Sequence, residues 1–216
     1  MLKHFFQPLI HWYLGALKTG GFPLIALLMA LEGSFLPLPS EVIIPPAANL
    51  AWTNGLNLFQ FHLSGLSAQI GVVIAGTLGA WLGASAMYWL VRFAGRPLVL
   101  RYGKFILFTP EKMEMAERWM SHYGPMGVLV ARMLPGARQL VSIPTGVTRM
   151  DYRLFSIFTL LGAAIWCSVL CWLGVNIGAD ISKGEMHKVM LWVGGAALAF
   201  GGLYYFFVHR HLQKEL

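Results

Sequence analysis

Charged residues are what this sequence has least of. Asp, Glu, Lys and Arg make up 12% of its 216 residues, about half the share of an ordinary soluble domain. A soluble monomer is thereby excluded. The deficit is also local, because residues 42–91, 154–179 and 189–209 contain no formal charge, and a bilayer-crossing helix needs only about 20 apolar residues. Each window accommodates a crossing, so the chain reads as an integral membrane protein. Cysteine is nearly absent too. Cys167 and Cys171 are the two present, four apart in one apolar stretch, where helical geometry puts them on a common face without the geometry of a bridge. Packing is their expected role. No small-x-small cleavage site precedes Glu32, and Pro8 and Pro23 punctuate the early apolar run, so the N-terminal segment is read as retained rather than removed as a signal peptide.

The residues that are present divide a single membrane domain, 1–216, into parts. Residues 1–21 mix Phe5, Phe6, Trp12 and Tyr13 with Lys3, His4, His11 and Lys18, a composition suited to an N-terminal interfacial or membrane helix. Residues 22–91 begin with a segment broken by Pro37, Pro39, Pro45 and Pro46 and continue into a clean span at 69–91, where Gly79 and Gly83 permit close helix approach. Residues 92–123 concentrate Lys, Arg and Glu and contain an amphipathic stretch at 110–120, which predicts a basic cytoplasmic connector. Residues 124–179 repeat the plan: a segment interrupted by Pro135, Gly136 and Pro144, then a span at 154–179. A last span is expected at 189–208. Proline ends or kinks a helix, so each broken segment is expected to dip into the membrane and return. The predicted fold class is an all-α integral membrane protein: an inverted repeat of two broken re-entrant hairpins, each followed by a transmembrane helix, plus a C-terminal transmembrane helix.

Four charges fall inside the broken segments, Glu32 and Glu41 in the first, Arg132 and Arg138 in the second. An ionised group at membrane depth costs about 2.5–3.5 kcal/mol on insertion scales, so the four are expected to converge on one another or on a wet cavity. Two salt bridges tying the hairpins together would satisfy that need. Breaking both segments with proline beside the charges also frees backbone polar groups, which are tolerated only where protein or a water-filled cavity covers them, and a mechanical tie does not require that opening. Guanidinium groups present a planar fork of donors that suits phosphate, so Arg132 and Arg138 are the candidate anchors for an anionic head group. Glu32 and Glu41 are the candidate proton-coupling groups, ionised on arginine when the site is empty and protonated when phosphate takes their place.

The run from Glu32 through Pro37, Pro39, Ser40 and Glu41 to Pro45, together with Arg132-Met133-Leu134-Pro135-Gly136-Ala137-Arg138 and Ser142-Ile143-Pro144-Thr145-Gly146, closely resembles the DedA family, bacterial relatives of the VTT-domain lipid scramblases. The resemblance covers about residues 22–180. It implies two re-entrant hairpins in an inverted repeat, an acidic pair at Glu32 and Glu41, an arginine pair at Arg132 and Arg138, and a role in moving undecaprenyl phosphate or phospholipid across the cytoplasmic membrane, dependent on protons. Ser40 stands where many members have glycine, and Ala131 precedes the first arginine where a small polar residue is common; Ser40 is expected to alter the hairpin tip.

The expected function is therefore a multi-pass transporter of the bacterial inner membrane that flips polyprenyl phosphate between leaflets, coupled to protons and without enzymatic activity. Its expected partners are an anionic lipid, protons and the bilayer, and an oligomer is compatible with the sequence. No cofactor or metal is expected, and no nucleic-acid motif is present; the net charge of +7 fits attraction to anionic lipid. The alternatives are a phospholipid scramblase or proton-coupled cation exchanger on the same scaffold, a non-transporting assembly factor, and an intramembrane hydrolase, for which no Gly-x-Ser-x-Gly or His-Glu-x-x-His motif is found. The tryptophans, Trp166 included, are assigned to interfacial belts, Asp151 to a local ion pair with Arg149 and Arg153, Asp180 to a marginal place in the pathway, and His209 and His211 to anionic-lipid contact.

Overall fold

The structure, a computed structural model, describes residues 2–34, 40–58, 61–102, 110–134 and 137–182. Its helices are α1 (Leu2–Ser34), α2 (Ser40–Thr53), α3 (Gly65–Tyr102), α4 (Pro110–Met133), α5 (Ala137–Leu140), α6 (Ser142–Val147) and α7 (Tyr152–Ser182). Among the described residues three stretches are long and apolar enough to cross a bilayer, Gly15–Ser34, Gly65–Gly95 and Tyr152–Asn176. Pro37, Pro39, Pro135, Gly136, His209, His211 and the expected span at 189–208 lie outside the described residues. One compact unit runs Met1–Val175 and a second Asn176–Leu216; all four candidate charges belong to the first.

Three of the long helices are bent by one sequence rule. Gly21, Gly95 and Gly124 have positive φ of 53°, 70° and 53° inside α1, α3 and α4, and Pro23, Pro97 and Pro125 come within two residues of them. Glycine stops one helical segment and proline starts the next, because the missing N–H belongs to a first turn that lacks an acceptor anyway. At Gly21 no side chain fits: a Cβ there would lie 2.0 Å from the Asn57 carbonyl oxygen.

That carbonyl belongs to an element the all-α expectation missed. Strands β1 (Leu56–Leu58) and β2 (Phe61–Leu63) form a short antiparallel ribbon between α2 and α3. The excursion lies in the window without formal charge, where the apolar composition resembled the start of a span. Pro45 also behaves differently from expectation. It and Pro46 lie inside α2, and the helix runs on. Starting at Ser40, the helix loses only the bonds to the carbonyls of residues 41 and 42, near its beginning, and proline's φ suits the helical turns beyond. Pro144 is the third residue of α6, again in a first turn. Val141, between α5 and α6, keeps right-handed helical angles of −60° and −25°, so the interruption there is slight.

α3 is the spine. Its Gly79 and Gly83 approach α1 so closely that added Cβ atoms would meet the Ala26 and Ala30 carbonyl oxygens at 2.2 and 2.1 Å, which is how small residues let membrane helices touch along their backbones. Toward the other end, Tyr88 stacks on Phe155 of α7 at 4.7 Å, and Ala84, Val128 and Val141 complete a buried cluster. On the opposite side of α3, Leu66, Ile70, Ile74, Leu78 and Leu82 are exposed. They recur every four residues, a stripe that faces lipid.

Candidate functional site

The end of α1 and the start of α2 present the two carboxylates. Glu32 is 5% exposed, and its Oε1 accepts from the Ser40 backbone N–H at 3.3 Å, which ties the first residue of α2 to the last turn of α1. α5 delivers the guanidinium that meets them. Arg138 Nη2 donates to Glu32 Oε1 at 2.6 Å and to Glu41 Oε2 at 3.3 Å. Gln139 Nε2 reaches the same Glu32 oxygen at 3.4 Å. One buried arginine thus bridges both acids. The two acids are not equivalent: the Glu41 side chain is 41% exposed.

Arg132, at the last turn of α4, is 5% exposed but is held differently. Its Nη1 donates to the Arg138 carbonyl at 2.7 Å and its Nη2 to Ser142 Oγ at 2.8 Å, and its guanidinium lies 5.9 Å from the Phe155 ring centre. No carboxylate among the described residues is within ion-pair distance of it. Gly162 of α7 makes room for it, since a Cβ there would lie 2.6 Å from Arg132 Cβ. The Nε atoms of both arginines are buried and donate no hydrogen bond among the described residues. Glu32, Arg132, Arg138, Gln139 and Trp166 line a common cavity of about 30 Å³, room for one or two water molecules.

Of the expected site residues, Glu32, Glu41 and Arg138 are therefore in direct contact, and Arg132 borders the same cavity without touching an acid. Pro45 and Pro144 sit in helices beside it. Four residues were not foreseen as site residues. Ser40, noted only for the hairpin tip, fixes Glu32 through its N–H. Trp166, assigned to an interfacial belt, is buried; its Nε1 donates to Ser40 Oγ at 3.2 Å and its ring carries the Arg138 guanidinium at 5.2 Å. Gln139 and Ser142 complete the polar shell. Ser142 and Gln139 had a signal, since they adjoin the arginine motif; Trp166 had none, because an apolar span is an ordinary setting for tryptophan. Asp151 caps a helix and makes no ion pair among the described residues: its Oδ1 accepts the N–H groups of Arg153 and Leu154 at 2.8 and 3.1 Å, as an N-cap does. Cys167 and Cys171 are buried free thiols, and Cys171 Sγ donates to Gln69 Oε1 at 2.6 Å.

The sequence that builds this geometry has known relatives. The VTT domain matches residues 38–176, and the chain belongs to that family, the DedA family. It is 32% identical to the uncharacterized membrane protein YkoX of Bacillus subtilis over 169 residues, 77% of this chain and 72% of that protein. Similarity to undecaprenyl phosphate transporter A extends to two organisms. In Bacillus subtilis it is 36% over 111 residues, 51% of this chain and 56% of the relative; in Staphylococcus aureus it is 30% over 158 residues, 71% and 72%. An alkaline phosphatase-like protein of Lactococcus lactis is 35% identical over 163 residues, 71% and 69%. No solved structure matches the chain significantly. Family and spans together make this a membrane protein of DedA type.

Proposed function

We propose that the chain flips a polyprenyl phosphate, undecaprenyl phosphate by analogy with the named relatives, between the leaflets of the bacterial inner membrane, and that protons drive the cycle without any covalent chemistry. One observation carries the reading: a single guanidinium, Arg138, holds both glutamates, while a second, Arg132, lies beside it buried among neutral partners. A buried cation without a counter-charge is unfavourable in low dielectric, and a phosphate monoester head supplies that charge with the bidentate geometry guanidinium prefers. Protonating the two glutamates dissolves the pairs on Arg138 and turns it toward the same phosphate. The isoprenoid tail stays in lipid throughout.

The re-entrant, inverted-repeat arrangement is part of this proposal. Helical residues 22–34 and 40–53 would each extend about 20 Å, and residues 125–133 and 137–147 about 15 Å, against a hydrocarbon core of about 30 Å. Pieces shorter than the hydrocarbon core that meet at a charged cluster support two re-entrant hairpins. The head group displaces the one or two waters this cavity can hold, and the hairpins separate to admit it. A cation exchanger on this scaffold would need a carboxylate free for its ion, whereas both acids are committed to Arg138. The test is reconstitution in liposomes with labelled polyprenyl phosphate: Arg132→Ala and Arg138→Ala abolish transport, while Glu32→Gln and Glu41→Gln remove its pH dependence. Undiminished transport by folded arginine variants ends the reading; loss in the glutamate variants alone favours the cation carrier.

A further inference from the structure

Most hydroxyl groups in these helices are satisfied locally. Ser34, Thr53, Thr145, Thr148 and Ser168 each donate to the carbonyl four residues back in the chain, the ordinary way a membrane helix hides a hydroxyl. Ser156 and Thr159 of α7 do not. Both Oγ atoms are buried and have no hydrogen-bond partner among the described residues, and Thr159 is 0% exposed. Buried hydroxyls without protein partners call for an explanation, and in a polar niche that explanation is ordered water.

Their position says where such water leads. Phe155 and Gly162 both touch Arg132, and Thr159, four residues after one and three before the other, shares their face of α7. Arg132, which that face approaches, itself keeps a buried Nε with no hydrogen-bond partner among the described residues. Ser156 lies one turn toward the helix start, and one turn further Tyr152 Oη donates to Ser85 Oγ of α3 at 3.1 Å. There α3 and α7 approach the Arg149–Met150 turn, which Arg92 holds by donating to the Met150 carbonyl at 3.1 Å. Small residues, Ala80 of α3 and Ala163 of α7, line the cavity beside Arg132.

We infer that the α3–α7 seam carries a file of water from the Tyr152–Ser85 pair past Ser156 and Thr159 to Arg132, and that this file is the route by which protons reach the glutamate–arginine cluster. The hydration stands on the geometry alone; its use as a proton route rests on the transport reading above. The charged groups along it are Arg92 at the outer end and Arg132, Arg138, Glu32 and Glu41 at the inner end.

Two measurements test it. In a chain with Cys167→Ala and Cys171→Ala, reconstituted in liposomes, single cysteines are placed at Ser156 and Thr159 on the file, and at Ile157 and Leu161 on the lipid-facing side. Silver ion, a water-sized thiol reagent, is applied, and protection from later maleimide labelling is read by mass. Ser156→Cys and Thr159→Cys react about tenfold or more faster than Ile157→Cys and Leu161→Cys, whose thiols meet hydrocarbon instead of water. Equal rates, or protection at neither file position, overturn the file. In the otherwise unaltered chain, Thr159→Val removes the hydroxyl at constant shape and slows transport driven by a pH gradient several-fold, while gradient-free exchange of labelled lipid is preserved. Silver access combined with unchanged gradient-driven transport by Thr159→Val overturns the proton role. Absence of any polyprenyl phosphate movement in the unaltered chain refutes the transport reading and leaves the silver result to stand separately.

Discussion

The two proline-containing segments answer the same problem, charge inside an apolar protein, in opposite ways. The first divides its acids by exposure, Glu32 buried and Glu41 partly open. The second buries both arginines and divides them by partner: Arg138 holds two carboxylates, while Arg132 holds a carbonyl and a hydroxyl. Two identical side chains six residues apart in one motif are thus built for different work. Arg138 is a latch whose removal strands an acid; Arg132 is a hydrogen-bond donor whose removal strands no charge among the described residues.

The largest effect that sharpens this contrast is Arg138→Met. Removing one partner of a buried pair leaves Glu32 without a counter-charge and costs about 3–5 kcal/mol, read as a fall in unfolding temperature in detergent. The double variant Arg138→Met/Glu32→Met recovers most of that loss; no recovery would mean the pair is not the reason for it. Next, Arg132→Met gives up hydrogen bonds worth about 1.5–3 kcal/mol but also removes a buried cation that lacks a counter-charge, so its net loss is smaller than that of Arg138→Met, yet it stops lipid transport completely. Should the two arginine variants lose equal stability, the distinction between latch and donor collapses. Trp166→Phe comes third, keeping an aromatic ring near Arg138 but losing the N–H to Ser40, about 1 kcal/mol; Trp166→Leu costs more, and a reversed order would show that the ring contact is idle. Glu41→Gln is the smallest, about 0–1 kcal/mol because the Glu41 end of the pair is open to solvent, with the difference from the native chain shrinking as salt is raised.

Much of this was legible from residue order. The spans at 69–91 and 154–179 fall within α3 and α7 because long apolar runs have few other stable uses. The four charges stood out because ionised groups in apolar segments are expensive. Pro45 misled because its consequence depends on how far it lies from a helix start, and that start is set by how Glu32 holds Ser40. Trp166 was missed because a tryptophan in a span looks the same whether its ring meets lipid or a guanidinium. The β-ribbon was missed because its apolar residues carry no mark distinguishing a short strand from the approach to a span.

By itself the sequence determined that this chain enters a membrane and which four side chains are too costly to be incidental, since transfer free energies act on residues wherever they lie in the fold. Only the tertiary structure decided that Arg138 takes both acids, that Arg132 takes none, and that Ser40 and Trp166 hold the latch. Pairing energies depend on distances of a few ångströms between segments some hundred residues apart, and linear order does not encode them.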